Sequence, residues 1–162
     1  MASNILITQS AAEFADALPD GGALLALDLG TKTIGTATSD AGWRFATAGK
    51  TVPRGRFNKD RAKLAELVDS RSIRGLVLGL PRNMDGSEGP RAQASRAYAR
   101  NLAEAFSVPV LLWDERWSTQ SAEAAMIGQD MSRAKRAERI DSHAAAIFLQ
   151  AALDALSGEG LV

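Results

Sequence analysis

Residues 23–39, ALLALDLGTKTIGTATS, contain the clearest strand pattern in the chain, and the predicted fold is built on it. Its first half, Ala23 to Leu29, is a compact apolar run. Its second half, Lys32 to Ser39, carries apolar and β-branched residues at the two-residue spacing of a strand. Gly30 and Thr31 lie between the halves and suit a tight turn. We therefore predict two antiparallel strands joined as a hairpin.

Outward from this hairpin, toward the C-terminus, strand and helix patterns alternate. A third strand is predicted over about Arg44 to Val52, before the basic turn Pro53–Arg56. Two buried strands follow, Gly75–Leu80 and Val108–Trp113. The predicted helices are one capped by Asn58, one from Pro90 to about Phe106, one capped by Ser118 and a last one from Asp141 to about Leu156. The predicted fold class is α/β, a mixed sheet flanked by helices in the order βββαβαβα.

Toward the N-terminus, the pattern Ser10-Ala-Ala-Glu13 is typical of a capping box, and Phe14 and Leu18 follow at helical spacing. A short helix ending near Pro19 is predicted. We interpret residues 1–21 as an extension, an appendage to a single domain over residues 22–162.

Composition narrows the class of protein. With 162 residues and 46% hydrophobic residues, the chain can bury one core without help, and it contains no cysteine. Its apolar runs are too short to cross a bilayer, and no basic residue precedes Lys32 as a secretory signal would require. We expect a soluble cytoplasmic protein with no membrane partner.

Charge is distributed unevenly along the chain. The formal net charge is zero, yet all 19 lysines and arginines lie between Lys32 and Arg139, where bases outnumber acids. A solvated surface of mixed sign would explain this, and so would a surface that binds nucleic acid. The acidic motifs favour the second interpretation.

Asp28 is the only charged residue between Gly21 and Thr31. An unpaired carboxylate in the middle of a sheet is costly to bury, so the side chain needs a partner. Backbone donors or Lys32 could supply it, but a metal ion is the better partner. The Asp-Leu-Gly-Thr sequence is also similar to the first phosphate loop of sugar kinases and actin-like ATPases.

Further acids follow two later elements. Asp114 and Glu115 close the second buried strand, where they could equally form a solvated pair. Asp141 opens the predicted last helix, where it could serve as an N-cap as well as a ligand. His143 lies two residues on, so it would point away from Asp141, and we interpret it as flanking the site.

Three carboxylates from separate elements predict the kind of metal. Oxygen ligands with almost no histidine and no cysteine suit Mg²⁺ or Mn²⁺ rather than zinc. Two such ions, roughly 3.5 to 4 Å apart, can activate a water and stabilise the leaving oxygen during phosphodiester hydrolysis. The pattern therefore favours a nuclease without a side-chain nucleophile.

Four motifs in order resemble the YqgF (RuvX) family over about Gly22 to Leu156. They are Leu27-Asp-Leu-Gly-Thr-Lys-Thr-Ile-Gly35, Gly79-Leu-Pro-Arg-Asn-Met-Asp-Gly86, Asp114-Glu-Arg-Trp-Ser-Thr119 and Asp141-Ser-His-Ala-Ala145. The resemblance implies an RNase H-like fold related to RuvC and a hydrolase that processes pre-16S rRNA in ribosome biogenesis. The family was earlier described as Holliday junction resolvases.

The resemblance also implies site residues. Asp28, Glu115 and Asp141 would be the catalytic, metal-binding acids, with Asp114 as a further candidate ligand. The loop after Gly79 would border the site, where Asn83 and Asp85 either touch substrate or form a turn. Candidate substrate-binding residues are Lys32, Arg82, Asn83, Arg116, Arg133, Lys135 and Arg136.

Two features near these motifs have competing interpretations. Gln129 to Arg139 lacks periodicity and contains four basic residues, so we predict a mobile basic loop that clamps a substrate strand. Trp117 would stack on a base or belong to the core. Four features depart from the family pattern: the N-terminal extension, Trp113, Trp117 and His143. None of them replaces one of the candidate catalytic acids.

Alternative functions remain open at this point. A Holliday junction resolvase acting on DNA would be a symmetric dimer, and a non-catalytic RNA-binding assembly factor would dispense with the three acids. An ATPase of the actin type would need a second such domain around its nucleotide. We expect nucleic acid, pre-rRNA first and branched DNA second, and ribosome-assembly factors as partners.

Overall fold

The computed structural model describes residues 5–115 and 133–157, and the side chains of residues 5–115 and 143–157. Six strands and four helices follow in chain order within these residues: β1 Ile7–Thr8, α1 Ala11–Ala17, β2 Leu24–Leu29, β3 Thr33–Ser39, β4 Ala46–Pro53, α2 Phe57–Ser70, β5 Gly75–Leu80, α3 Pro90–Phe106, β6 Val110–Asp114 and α4 Arg133–Leu156. None of these helices is long and apolar enough to span a bilayer.

The strands form one mixed sheet in the order β1-β6-β5-β2-β3-β4. β2 pairs antiparallel with β3, as the hairpin pattern predicts, and β3 pairs antiparallel with β4. The central strands β2, β5 and β6 are parallel, with Leu27 opposite Leu78 and Leu78 opposite Leu112. The predicted mixed α/β sheet is therefore confirmed.

Alternation along the strands divides the core between the two faces of the sheet. Leu25, Leu27 and Leu29 pack on one face with α2 and α3. Leu24 and Ala26 point to the opposite face, where Phe14 of α1 and Phe148 of α4 cover them. All of β5 is buried, as expected for a parallel strand between two layers of helices.

The N-terminal segment is part of the sheet and the core rather than an appendage. The predicted cap at Ser10 is present, since the Ser10 hydroxyl accepts a hydrogen bond from the Glu13 amide at 3.2 Å. The reciprocal half of the predicted capping box is absent, because the Ser10 amide donates to the Thr8 hydroxyl and the Glu13 carboxylate accepts from that same hydroxyl. However, β1 pairs parallel with β6, and the side chain of Phe14 is fully buried. A two-residue strand has no pattern of its own, so its role arises only from pairing with β6.

The start of α2 differs from prediction. α2 begins at Phe57 with Arg56 in the N-cap position, so the prediction of Asn58 as the cap is wrong. The buried side chain of Asp60 accepts a hydrogen bond from the Gly55 amide and fixes this end instead. Ser118, predicted to cap another helix, lies outside the described residues.

The last helix is longer than predicted. α4 begins at Arg133, so the predicted start at Asp141 is wrong, and Asp141 lies inside the helix rather than at its N-cap. Residues 133–139, predicted as a mobile basic loop, are helical because arginine, lysine, alanine and glutamate favour a helix even without an apolar stripe. Residues 129–132 of that predicted loop lie outside the described residues.

Candidate acidic site at the end of the sheet

Asp28 and Glu115 meet at one end of the sheet. Asp28 is the penultimate residue of β2, and Glu115 directly follows β6. Both strands run parallel to β5, which lies between them, so their carboxyl ends share one edge. The two carboxyl groups are joined by a hydrogen bond. Alternation places Asp28 on the sheet face that α4 covers.

Gly79 of β5 provides the space for this pair. A Cβ at position 79 would collide with the carboxyl oxygen Oε1 of Glu115. Any larger residue would have to displace the acid or the strand. Gly79 belongs to the second of the four family-like motifs, and this contact explains why a residue without a side chain is needed there.

Burial and a second acid raise the pKa of Glu115. The largest cause is removal of the carboxyl from water, followed by its hydrogen bond to Asp28 and the negative charges of Asp28 and Asp114. The guanidinium of Arg91 opposes the shift, but the pKa of Glu115 is still raised to about 9. At neutral pH the pair therefore holds a proton where two carboxylates would otherwise repel each other.

This arrangement fits a divalent cation. A cation can take the place of the shared proton, because it neutralises both carboxylates at once, and carboxylate oxygens are the ligands that Mg²⁺ and Mn²⁺ prefer. Among the side chains that the structure describes, no group of three potential metal ligands lies together. Two of the three predicted acids are therefore brought together, and the third, Asp141, has a side chain outside the described set.

The raised pKa of Glu115 predicts how stability depends on pH. Between its ordinary value of 4.5 and about 9, the folded chain holds a proton that the unfolded chain has lost. The free energy of unfolding should therefore fall as pH rises, by up to about 1.4 kcal/mol per pH unit. Glu115→Gln keeps a neutral hydrogen-bonding group and removes this titration. Urea unfolding in EDTA between pH 5 and 8 should show a shallower fall for Glu115→Gln, and equal slopes would contradict the prediction.

The remaining acidic candidates take different places. Asp114 is half-buried at the end of β6, opposite Leu80, and its charge reaches Glu115. Position 141 lies one helical turn before Ala145, which is fully buried against the sheet face that carries Asp28. His143 is half-buried.

The loop between β5 and α3 is held by its own side chains. Asn83 Nδ2 donates to Ser87 Oγ at 3.0 Å, and Asp85 Oδ1 accepts from both the amide and the hydroxyl of Ser87. These contacts favour the turn interpretation of Asn83 and Asp85. Arg82 lies in the same loop and donates to Gln9 Oε1 at 2.6 Å, with Glu88 at 3.3 Å.

The other predicted substrate-binding residues are only partly described. Lys32 is exposed in the turn after β2. Arg133, Lys135 and Arg136 belong to α4, but their side chains lie outside the described set. Arg116 and Trp117 also lie outside the described residues.

Arg91, which the sequence did not indicate, lies beside the acid pair. It is the second residue of α3, and its Nη2 donates to the carbonyl of Leu29 at 3.2 Å. Its charge also acts on Glu115. A cavity of about 180 Å³ between the start of α3 and the preceding loop is lined in part by Arg91 and Arg82. Proline followed by arginine at a helix start carries no functional signal by itself.

Comparison with known proteins gives a consistent result. A family profile described as "RuvX: Holliday junction resolvase" matches residues 22–155. A protein of Novosphingobium aromaticivorans named "Putative pre-16S rRNA nuclease" is 63% identical, over 94% of this chain and 98% of its own length. A protein of Sphingopyxis alaskensis with the same name is 60% identical, over 94% and 99%.

Among solved structures, T. thermophilus RuvC in complex with a Holliday junction substrate has a TM-score of 0.51 to this chain at 13% identity. The match covers 85% of this chain and 97% of the RuvC chain. At this identity the likeness concerns the fold alone, and it agrees with the RuvC-like architecture that the motifs imply.

Proposed function

This chain belongs to the RuvX family, and on that premise we propose that it is a divalent-metal-dependent nuclease that hydrolyses phosphodiester bonds in structured RNA. The specific role proposed is processing of the 5′ end of pre-16S rRNA during ribosome biogenesis in the cytoplasm. The observation that carries the proposal is the contact between the half-buried carboxyl groups of Asp28 and Glu115 at the end of the sheet.

The metal would be held by the acids at this edge. Asp28, Glu115 and Asp141 are the proposed ligands, with Asp114 as a further oxygen donor. The position of residue 141, one turn before buried Ala145, supports its inclusion. A bound Mg²⁺ or Mn²⁺ supplies activation of the attacking water and stabilisation of the leaving oxygen.

The other polar residues would bind and orient the substrate. Arg91 can present its remaining N–H groups to a phosphate while one of them holds the Leu29 carbonyl. Further proposed phosphate contacts are Lys32, Arg82, Asn83, Arg116, Arg133, Lys135 and Arg136. Such contacts fix the position of the strand without reading its sequence.

The names of the relatives favour RNA, while the family description favours a second candidate, a Holliday junction resolvase. The discriminating experiment offers the wild-type chain a labelled 16S rRNA precursor and a four-way DNA junction, each with Mg²⁺, Mn²⁺ or EDTA. We expect precursor shortened at its 5′ end with either metal, no product in EDTA and an intact junction.

Each other result has a definite meaning. Symmetric cleavage of the junction with an intact precursor would replace the proposed function with resolvase activity. Binding of precursor without cleavage under any metal would leave a non-catalytic assembly factor, with ribosome-assembly proteins as its partners.

A further inference from the structure

Arg54 lies in the turn of residues 54–56, between β4 and α2, and reaches the loop that follows Asp28. Its Nη1 donates to the carbonyl of Gly30 at 2.7 Å, and its backbone amide donates to the carbonyl of Lys32 at 2.8 Å. Gly30 is two residues beyond Asp28. The guanidinium is therefore fixed next to the end of β2, the strand that carries Asp28.

The Arg54 side chain is positioned by an aromatic ring. Its guanidinium carbon lies 5.2 Å from the centroid of the Tyr98 ring, within the range of a cation–π interaction. Phe57 packs edge-on against the same ring at 5.2 Å between centroids. An arginine held by one hydrogen bond and one ring face loses little freedom when it binds a further group.

A buried carboxylate holds the turn that carries Arg54. Asp60 of α2 is 0% exposed, and its two oxygens accept hydrogen bonds from the Gly55 amide at 2.8 Å and the Tyr98 hydroxyl at 2.9 Å. Burying a carboxylate costs free energy even when it is hydrogen-bonded. Here the buried carboxylate of Asp60 holds a turn that lies at the surface. We call Asp60 and Tyr98 together the latch.

Arg54 forms no ion pair with a carboxylate among the described side chains. The ion pairs found there involve Arg44, Arg82 and Arg96 instead. The neighbour of Arg54, Arg91, donates to the adjacent carbonyl of Leu29. Two arginines from different elements thus lie at consecutive carbonyls beyond Asp28.

We propose that Arg54 is a substrate-binding residue that contacts a phosphate of the nucleic-acid backbone beside the acidic site, and that the latch holds it ready for this contact. This inference rests on the proposed function, because it supplies the anionic substrate. Arg54 and Arg91 then hold the backbone at two consecutive carbonyls beyond Asp28, so that the phosphate to be cut lies next to the acidic site. Arginine suits this task because its planar fork binds phosphate oxygens in pairs.

The test measures binding separately from cleavage. The probe is a fluorescent RNA hairpin with a single-stranded 5′ extension, titrated in EDTA at several salt concentrations. Arg54→Gln should weaken binding by about tenfold. The slope of log Kd against log salt should also fall by about 0.7 to 0.9, the contribution of one phosphate contact.

The matched control is Arg100→Gln, which removes the same charge from an exposed position of α3. It should leave affinity and salt slope near the wild-type values. Unchanged binding by folded Arg54→Gln would overturn the proposal. An equal loss in Arg100→Gln would also overturn it, because the effect would then reflect overall charge.

Two further variants keep the test decisive. Arg54→Lys keeps the charge but loses the fork and the ring contact, so it should bind more weakly than wild type with an unchanged salt slope. If Arg54→Gln does not fold, wild-type affinity in Arg54→Lys overturns the proposal. Tyr98→Phe removes one donor from Asp60 and should weaken RNA binding, though less than Arg54→Gln does. Wild-type affinity in Tyr98→Phe would overturn the role of the latch.

If RNA binding responds as expected but no substrate is cut, the proposed nuclease function fails while the Arg54 contact stands.

Discussion

Asp28→Asn is expected to lower cleavage of the rRNA precursor by at least about 1,000-fold, while the folded protein and its RNA binding persist. An amide oxygen is neutral and cannot replace a carboxylate that balances the charge of a cation. A thousandfold loss corresponds to about 4 kcal/mol of transition-state stabilisation. Single-turnover cleavage in Mg²⁺ and in Mn²⁺ measures the effect.

The same variant should separate loss of chemistry from loss of fold. Without metal, Asp28→Asn removes a charge beside Glu115, so its melting temperature in EDTA should equal or exceed that of wild type. Divalent metal should raise the melting temperature of wild type but scarcely that of the variant. Asp69→Asn, an exposed acid on α2, serves as the matched control and should behave as wild type. Equal stabilisation of wild type and Asp28→Asn by metal would remove Asp28 from the metal site.

Gly79→Ala is expected to lower cleavage by about 100-fold or more, although it replaces none of the acids. Its Cβ would collide with the Glu115 carboxyl, so the acid must leave its position beside Asp28. Displacement of a reacting group by about 1 Å can cost a hundredfold in rate. Cleavage per folded molecule, with the folded fraction taken from urea unfolding, is the measurement.

The other glycine of β5 provides the control. A Cβ at Gly75 would approach Phe14 and Leu18 at 2.8 and 2.9 Å, so Gly75→Ala overpacks the core at the opposite end of the same strand. It should lower stability by roughly 1 to 3 kcal/mol while the folded molecules cleave at the wild-type rate. If both variants lost the same activity per folded molecule, the contact between Gly79 and Glu115 would not be the cause.

The parts of the fold that local chemistry dictates were predictable from the sequence. The Ser10 cap, the hairpin of β2 and β3 and the buried strand Gly75–Leu80 each have their signal within a few residues. β1 and the start of α4 were not predictable in this way. A two-residue strand exists only through its partner, and the charged first half of α4 lacks the apolar stripe by which a helix is recognised.

The residues of the candidate site also fall into those that the sequence indicates and those that it does not. The motifs group Asp28 and Glu115 in one site through their resemblance to a family, and the structure brings their carboxyls into contact where the parallel strands β2 and β6 end. Their catalytic role, and that of Asp141, stays a prediction. Arg54 and Arg91 could not be foreseen, because their positions depend on contacts with backbone carbonyls distant in sequence. Asp60 shows no local sign that it is buried.

The pairing of β1 with β6 has a consequence for the order of folding. Ile7 of β1 pairs with Val110 of β6, so β1, the first strand in the chain, cannot dock until β6, the last strand, has formed. Pairing over such a sequence separation is slow, because a long loop must close before any contact rewards it. During refolding, β6 would therefore present an uncovered edge, with which other chains can pair, until β1 docks. The small strand β1 and the helix that follows it thus act as the closing step that ends this exposure.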